Sequence, residues 1–304
     1  MRVAFKAILF VILIVIFAGC TNTSFDSEKL NIVTSFYPMY ILTANIVDGV
    51  EDVTLTNLTS NQTGCLHDYQ ISTKDMVKLS HADILVANGG GMENFIEKAI
   101  SLYEDLKVID SSEEIEHLHE ENRDIDEDEH QNHEHSENSH YWVSISLYIE
   151  QVKKVTKELC KIDSKNAEMY EKNSKVYIEK LEKLKEEMHK SLDSLTSKNI
   201  VTFHEAFEFF AEEFNLNIVT VIEREPGTYP SSGEVAKIIE MIKSKDVKAI
   251  FVEPQYSRTA ADTIARETNV NVYSLDPIVT GELNKDAYID IMEDNLKTLV
   301  EALS

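Results

Sequence analysis

The sequence predicts an α/β protein of two layered lobes, each built on a parallel sheet, with one long rigid helix joining them. Three observations predict it. Short β-branched runs alternate with helical stretches, and they do so in two separate blocks. Between the blocks lies a long helical stretch without Gly or Pro. The chain of 304 residues is long for one core and comfortable for two.

In the first block, strands are expected at 32–35, 53–57, 84–88 and 107–110, with helices at 38–47, 73–80 and 92–102. Gly89, Gly90 and Gly91 end a strand there. They lack the Lys-Ser/Thr of a P-loop and the spacing of a dinucleotide turn, so they read as a turn. A helix follows at 144–159, then the long one at 163–195. Its apolar positions are Ala167, Tyr170, Val176, Tyr177, Leu181, Leu184, Met188, Leu192 and Leu195. Most are three and four apart, which makes one buried stripe. The stripe lasts only about four heptads, which favours a spine of about 50 Å within a monomer over a coiled-coil dimer. In the second block, strands are expected at 199–203, 217–222, 249–253 and 271–275. Helices are expected at 205–214, 233–243, 259–267 and 285–303.

The N-terminus reads as a secretory signal. Arg2 and Lys6 precede an uncharged apolar run over 7–17, which is shorter than a membrane span of about 20 residues. Small residues Ala18 and Gly19 then lead to Cys20, the pattern of a bacterial lipoprotein cleaved to leave a lipid-modified cysteine. Cleaved or kept as an anchor, the segment places the rest of the chain outside the cytoplasm. The expected division is a signal peptide over 1–19, a tether over 20–30, an N-terminal lobe over 31–160, the spine over 161–197 and a C-terminal lobe over 198–304.

A formal charge of -25 excludes phosphate backbones as partners, so no nucleic acid is expected. Much of that charge sits in 111–139, a segment with almost no apolar residues and an expected disordered loop. His117, His119, His130, His133 and His135 are interspersed among its acids. A His-rich acidic tract is an expected collector of soft or borderline metal ions. Of the three cysteines, Cys65 and Cys160 read as free thiols, because nothing in the sequence brings them together.

Four further residues follow predicted strands or close loops. His67 lies in the loop after the second strand, and His140 closes the acidic tract. His204 directly follows the strand at 199–203, and Asp276 the strand at 271–275. In open α/β sheets, ligands bind beyond the carboxyl ends of strands. Each residue alone reads more often as a helix cap or a surface group than as a ligand. Together, three imidazoles and a carboxylate match the donor set of a tetrahedral zinc site. A zinc hydrolase does not fit: His204-Glu205-Ala206-Phe207-Glu208 has Glu208 where a metalloprotease helix needs its second His.

Several motifs now stand in one order: His67-Asp68-Tyr69, His140 with Trp142, Thr202-Phe203-His204-Glu205-Ala206-Phe207, Glu253-Pro254-Gln255 and Leu275-Asp276-Pro277. The series resembles the zinc/manganese class of ABC-transporter substrate-binding lipoproteins, nearest its zinc-uptake, ZnuA-like branch, from Asn31 onward. The resemblance implies metal held between the lobes by His67, His140, His204 and Asp276. It implies Zn2+ as the transported substrate, with Mn2+ as the alternative, and an ABC permease and its ATPase as partners. It implies no catalysis. In manganese-type relatives the position of His204 is a glutamate, so histidine here fits zinc. Two departures stand out. Cys65-Leu66 replaces a common Glu-Pro before His67, and Asn138-Ser139 replaces the usual Asp-Pro before His140. An adhesin or zinc chaperone without a transporter would carry the same fold and site.

Overall fold

Two four-residue stretches, Ile84–Ala87 and Ala249–Val252, are apolar and buried at every position. A strand apolar on both faces must be covered on both faces, which is the condition of a central strand in a parallel sheet. The computed structural model places each at such a position. It describes residues 29–59, 64, 66, 69–115, 138–222 and 230–304. Cys20, Cys65, His67 and the five tract histidines lie outside the described residues.

The first sheet comprises β1 (Leu30–Thr34), β2 (Val53–Asn57), β3 (Ile84–Ala87) and β4 (Lys107–Asp110), in the order β2-β1-β3-β4. The second comprises β5 (Asn199–Thr202), β6 (Asn217–Val221), β7 (Ala249–Val252) and β8 (Asn271–Ser274), in the order β6-β5-β7-β8. All pairings are parallel, and the two sheets repeat one permutation of strands.

The helices are α1 (Tyr37–Ile46), α2 (Thr73–Ser80), the single turn α3 (Glu97–Ile100), α4 (Ile145–Ile162), α5 (Ala167–Leu192), α6 (Glu208–Glu213), α7 (Ser232–Ser244), α8 (Thr259–Thr268) and α9 (Ala287–Leu303). Among the described residues, none is long and apolar enough to cross a membrane.

Alternation along the strands sorts the core. Ile32, Ile84 and Val86 of the first sheet and Ile200, Ala249 and Phe251 of the second belong to one continuous cluster. Their neighbours Val33 and Leu85, and Val201, Ile250 and Val252, face two separate outer clusters. Successive strand residues point to opposite faces, so each sheet turns one face to its own outer helices. The other faces share a single interior with α1, α4, α5 and α9.

The spine α5 has 26 residues, about 39 Å, and is shorter than expected because 164–166 form a separate 3-10 turn. Its buried stripe runs Tyr170, Tyr177, Leu181, Leu184, Met188 and Leu192. Val176 is not in the stripe. It is 51% exposed, because a step of about 100° per residue carries it off the face that Tyr177 occupies.

The predicted helix over 92–102 shrinks to α3 for a local reason. The carboxylate of Glu93 folds back to accept the backbone N–H groups of Asn88 (2.7 Å) and Gly89 (3.0 Å). That holds a turn where helical propagation would run. Gly90 in that turn has φ +59, and a Cβ there would stand 2.7 Å from the ring of Tyr141. Cys160 is a partly buried free thiol.

Polar bonds reinforce the shared interior. The Tyr37 hydroxyl donates to the Glu282 carbonyl at 2.8 Å, and Asn45 donates to the Lys285 carbonyl at 2.7 Å. Tyr148 and Tyr288 stack with ring centroids 4.0 Å apart. Glu213, at the end of α6, accepts from Ser144 Oγ (2.7 Å), Ser146 N (3.1 Å) and Ser146 Oγ (2.6 Å). A carboxylate from the second half of the chain thus sits on the positive end of α4.

Candidate metal centre

Two buried histidines lie close together near the C-terminal end of β5. His204 stands one residue beyond the end of β5, after Phe203, and the 3-10 turn Glu205–Phe207 leads from it into α6. His140 stands just before the 3-10 turn Tyr141–Val143 that enters α4. Both rings are 2% exposed, and they meet edge to face with centroids 5.0 Å apart and planes at 80°. Residues 64 positions apart in the chain thus form one imidazole pair.

Each ring has an oxygen near its Nδ1. His140 Nδ1 lies 2.7 Å from the side-chain oxygen of Asn138. His204 Nδ1 lies 3.2 Å from Glu253 Oε1, just beyond β7. A proton on Nδ1, given to an oxygen, makes Nε2 the lone-pair nitrogen. That is the usual arrangement of a ligating histidine. Trp142 packs 5.1 Å from the His140 ring, and Tyr256 lies 6.4 Å from the His204 ring.

Asp276 follows β8 and is fixed from three sides. Asn295 of α9 accepts the Asp276 N–H at 2.9 Å and donates to its carbonyl at 2.8 Å. Asp276 Oδ1 accepts the Ile278 N–H at 2.8 Å. Ile278 itself adopts φ +61, a region disfavoured for a β-branched residue and held here by complete burial. The Trp142 indole donates to the Pro277 carbonyl at 2.6 Å, which draws the Asp276 loop to the His140 turn.

The electrostatics favour a cation. Burial pushes the Asp276 carboxyl above its ordinary value, opposed by the Ile278 N–H and the Gln255 side chain. Burial pushes Glu253 up as well, opposed by His204, while the charge of Asp276 adds to the rise. A buried carboxylate such as Glu253, 3.2 Å from the His204 ring, is costly without a compensating positive charge.

His67 lies outside the described residues, but the ends of its loop are placed. Leu66 is fully buried in the shared core. Gly64 faces Tyr256: a Cβ on it would stand 2.9 Å from that hydroxyl. Gly64 thus stands against a side chain whose ring lies 6.4 Å from that of His204. Among the described residues, no three His, Cys, Asp or Glu side chains come close enough together to hold an ion. The tract histidines His117, His119, His130, His133 and His135 also lie outside them.

The sequence reading missed three supporting residues. Asn138 had a visible signal, since it stands where a departure from the family pattern was seen. Asn295 and Asn88 had none. Asn88 donates to the Ser139 carbonyl at 2.9 Å and is itself held by Gln151, 63 positions on.

A family model described as zinc-uptake complex component A, periplasmic, matches residues 32–302. The chain belongs to that family. The high-affinity zinc uptake system protein ZnuA of Bacillus subtilis is 36% identical over 94% of this chain and 93% of its own length. Among solved structures, the substrate-binding protein FpvC of Pseudomonas aeruginosa, in complex with Mn2+, matches with a TM-score of 0.77. It is 29% identical and covers 91% of this chain and 98% of its own. The laminin-binding protein Lmb of Streptococcus agalactiae, described as bifunctional with adhesin and metal-transporting activity, matches at 0.76. It is 25% identical over 90% of this chain and 100% of its own. Members of this family bind metal for transport.

Proposed function

We propose that this protein is the extracytoplasmic substrate-binding component of an ABC metal importer, capturing Zn2+ between its two sheets and delivering it to a permease driven by an ATPase. The observation that carries the reading is the buried His140–His204 pair, with an oxygen 2.7 Å from Nδ1 of the first ring and 3.2 Å from Nδ1 of the second. Such a pair offers two Nε2 donors to one ion. His67 and Asp276 complete the proposed set.

Three nitrogens and one carboxylate suit zinc, a borderline ion, better than the harder manganese. Four protein donors leave no position for an activated water, so the site holds its ion without attacking a substrate. The shared core and the bonds between the sheets support limited relative movement, with rearrangement concentrated near His140. The protein acts as a monomer, anchored by a lipid on Cys20. Residues 1–19 are the removed signal and 20–30 the tether; the lobes span 31–160 and 198–304, about the spine at 161–197. The histidines of 111–139 collect ions and pass them inward.

The test is metal content and competition binding on the chain beginning after Cys20, beside His204→Glu. One tight zinc per protein, weakened in the variant, supports the reading. Preference of the parent for manganese would place the protein in the manganese branch. No tight metal would leave an adhesin as the better reading.

A further inference from the structure

We infer that Asn138 is a positioning residue that sets the tautomer of His140 and bridges the two imidazoles of the site. The inference rests on the metal-capture reading and adds to it a residue outside the ligand set.

The Asn138 amide uses both ends. Its oxygen accepts the His140 backbone N–H at 3.0 Å and faces His140 Nδ1 at 2.7 Å. Its nitrogen donates to the Glu205 carbonyl at 3.0 Å and to Glu208 Oε2 at 2.8 Å. The amide cannot be turned around. The backbone N–H must meet an oxygen, while the carbonyl and the carboxylate must meet a donor. With the oxygen so placed, Nδ1 of His140 carries the proton and Nε2 carries the lone pair.

The second half of the contact matters as much. Glu205 directly follows His204, so one side chain spans from the ring of His140 to the carbonyl of the residue next to His204. That span fixes the separation and tilt of the pair. It also explains why an amide stands here. An aspartate would still accept from His140, but it would set a carboxylate against the Glu205 carbonyl and the Glu208 carboxylate. The amide is the isostere that accepts on one side and donates on the other.

The test begins on metal-free protein labelled with 15N-histidine. Long-range 1H–15N spectra at pH 8 report which ring nitrogen of His140 is protonated. The parent is expected to show Nδ1–H, and Asn138→Ala to lose that preference. Nε2–H in the parent, or an unchanged tautomer in Asn138→Ala, would overturn the inference.

A second arm separates the two contacts. Asn138→Asp keeps the acceptor for Nδ1 and loses the bridge. It should keep the tautomer and weaken zinc binding about tenfold, the usual scale for groups that support a ligand. Adding Glu208→Gln returns a donor opposite the new carboxylate and should recover most of the loss. Zinc affinity unchanged in Asn138→Asp, or no recovery in the pair with melting temperatures matched to the parent, would remove the bridging role. A parent that bound no zinc, yet whose His140 tautomer followed residue 138, would sink the uptake reading and leave the Asn138 assignment standing.

Discussion

The Trp142 indole N–H donates to the carbonyl of Pro277 at 2.6 Å, and the Trp142 carbonyl accepts from the Tyr288 hydroxyl at 2.8 Å. Trp142 is fully buried and lies two residues after His140, while Pro277 directly follows Asp276. One residue thus ties two proposed ligand loops together. Trp142→Phe would leave the Pro277 carbonyl buried without that donor, a loss of about 1–3 kcal/mol. Urea unfolding should show it, and zinc affinity should fall as the Asp276 loop loosens. Equal midpoints for variant and parent would refute the tie.

Glu253 is 1% exposed, and burial holds its carboxyl above the ordinary value. A raised carboxyl means that its charge opposes folding at neutral pH. Glu253→Gln keeps an oxygen for His204 and removes the charge. The metal-free variant should melt at a higher temperature than the parent, while its zinc affinity drops about tenfold or more. Thermal denaturation with and without zinc measures both, and a variant less stable without metal would contradict the account.

Glu93 is buried in the turn after β3, and burial pushes its carboxyl up to about 7, opposed by the Ser35 side chain and the N–H groups of Asn88 and Gly89. Because the folded value exceeds the unfolded one, the stabilising contribution is complete below about pH 4.5 and disappears as pH rises to about 7. Glu93→Gln cannot titrate there. The stability of the parent minus that of the variant should fall by an amount on the order of 3 kcal/mol between pH 4.5 and 8. Chemical denaturation across that range reads the slope. A flat difference would mean that the carboxyl is solvated.

Ligating imidazoles must be neutral, so zinc binding should weaken steadily as pH drops through about 6 to 5. Competition titrations at constant ionic strength follow it. Affinity independent of pH in that window would argue against three histidine donors.

Removing 116–137 while keeping Asn138 should leave the tight zinc site intact and abolish weaker additional equivalents. Isothermal titration separates the two classes. Loss of the tight class would place part of the central site within the acidic tract.

Local chemistry carried a good deal of this protein. β2, β4 and α2 fall at the expected residues, because branched runs and a Ser72–Asp75 capping box are short-range signals. The positions of His204 and Asp276 after predicted strands, and of His140 at the close of the acidic tract, were legible along the chain. Long-range packing settled the remainder. No pattern near Ile32 or Phe251 reveals that both face one interior. No pattern near Asn295 reveals a clamp on Asp276, 19 positions away. The short α3 shows the same limit at close range, since the Glu93 side chain is tied back to the turn at Asn88 and Gly89, before the stretch where a helix was expected. Periodicity and capping act within a few residues and are written in order along the chain. The tilt of two imidazoles and the proton on each depend on which oxygens arrive from distant strands and helices, and only the packed core brings those into reach.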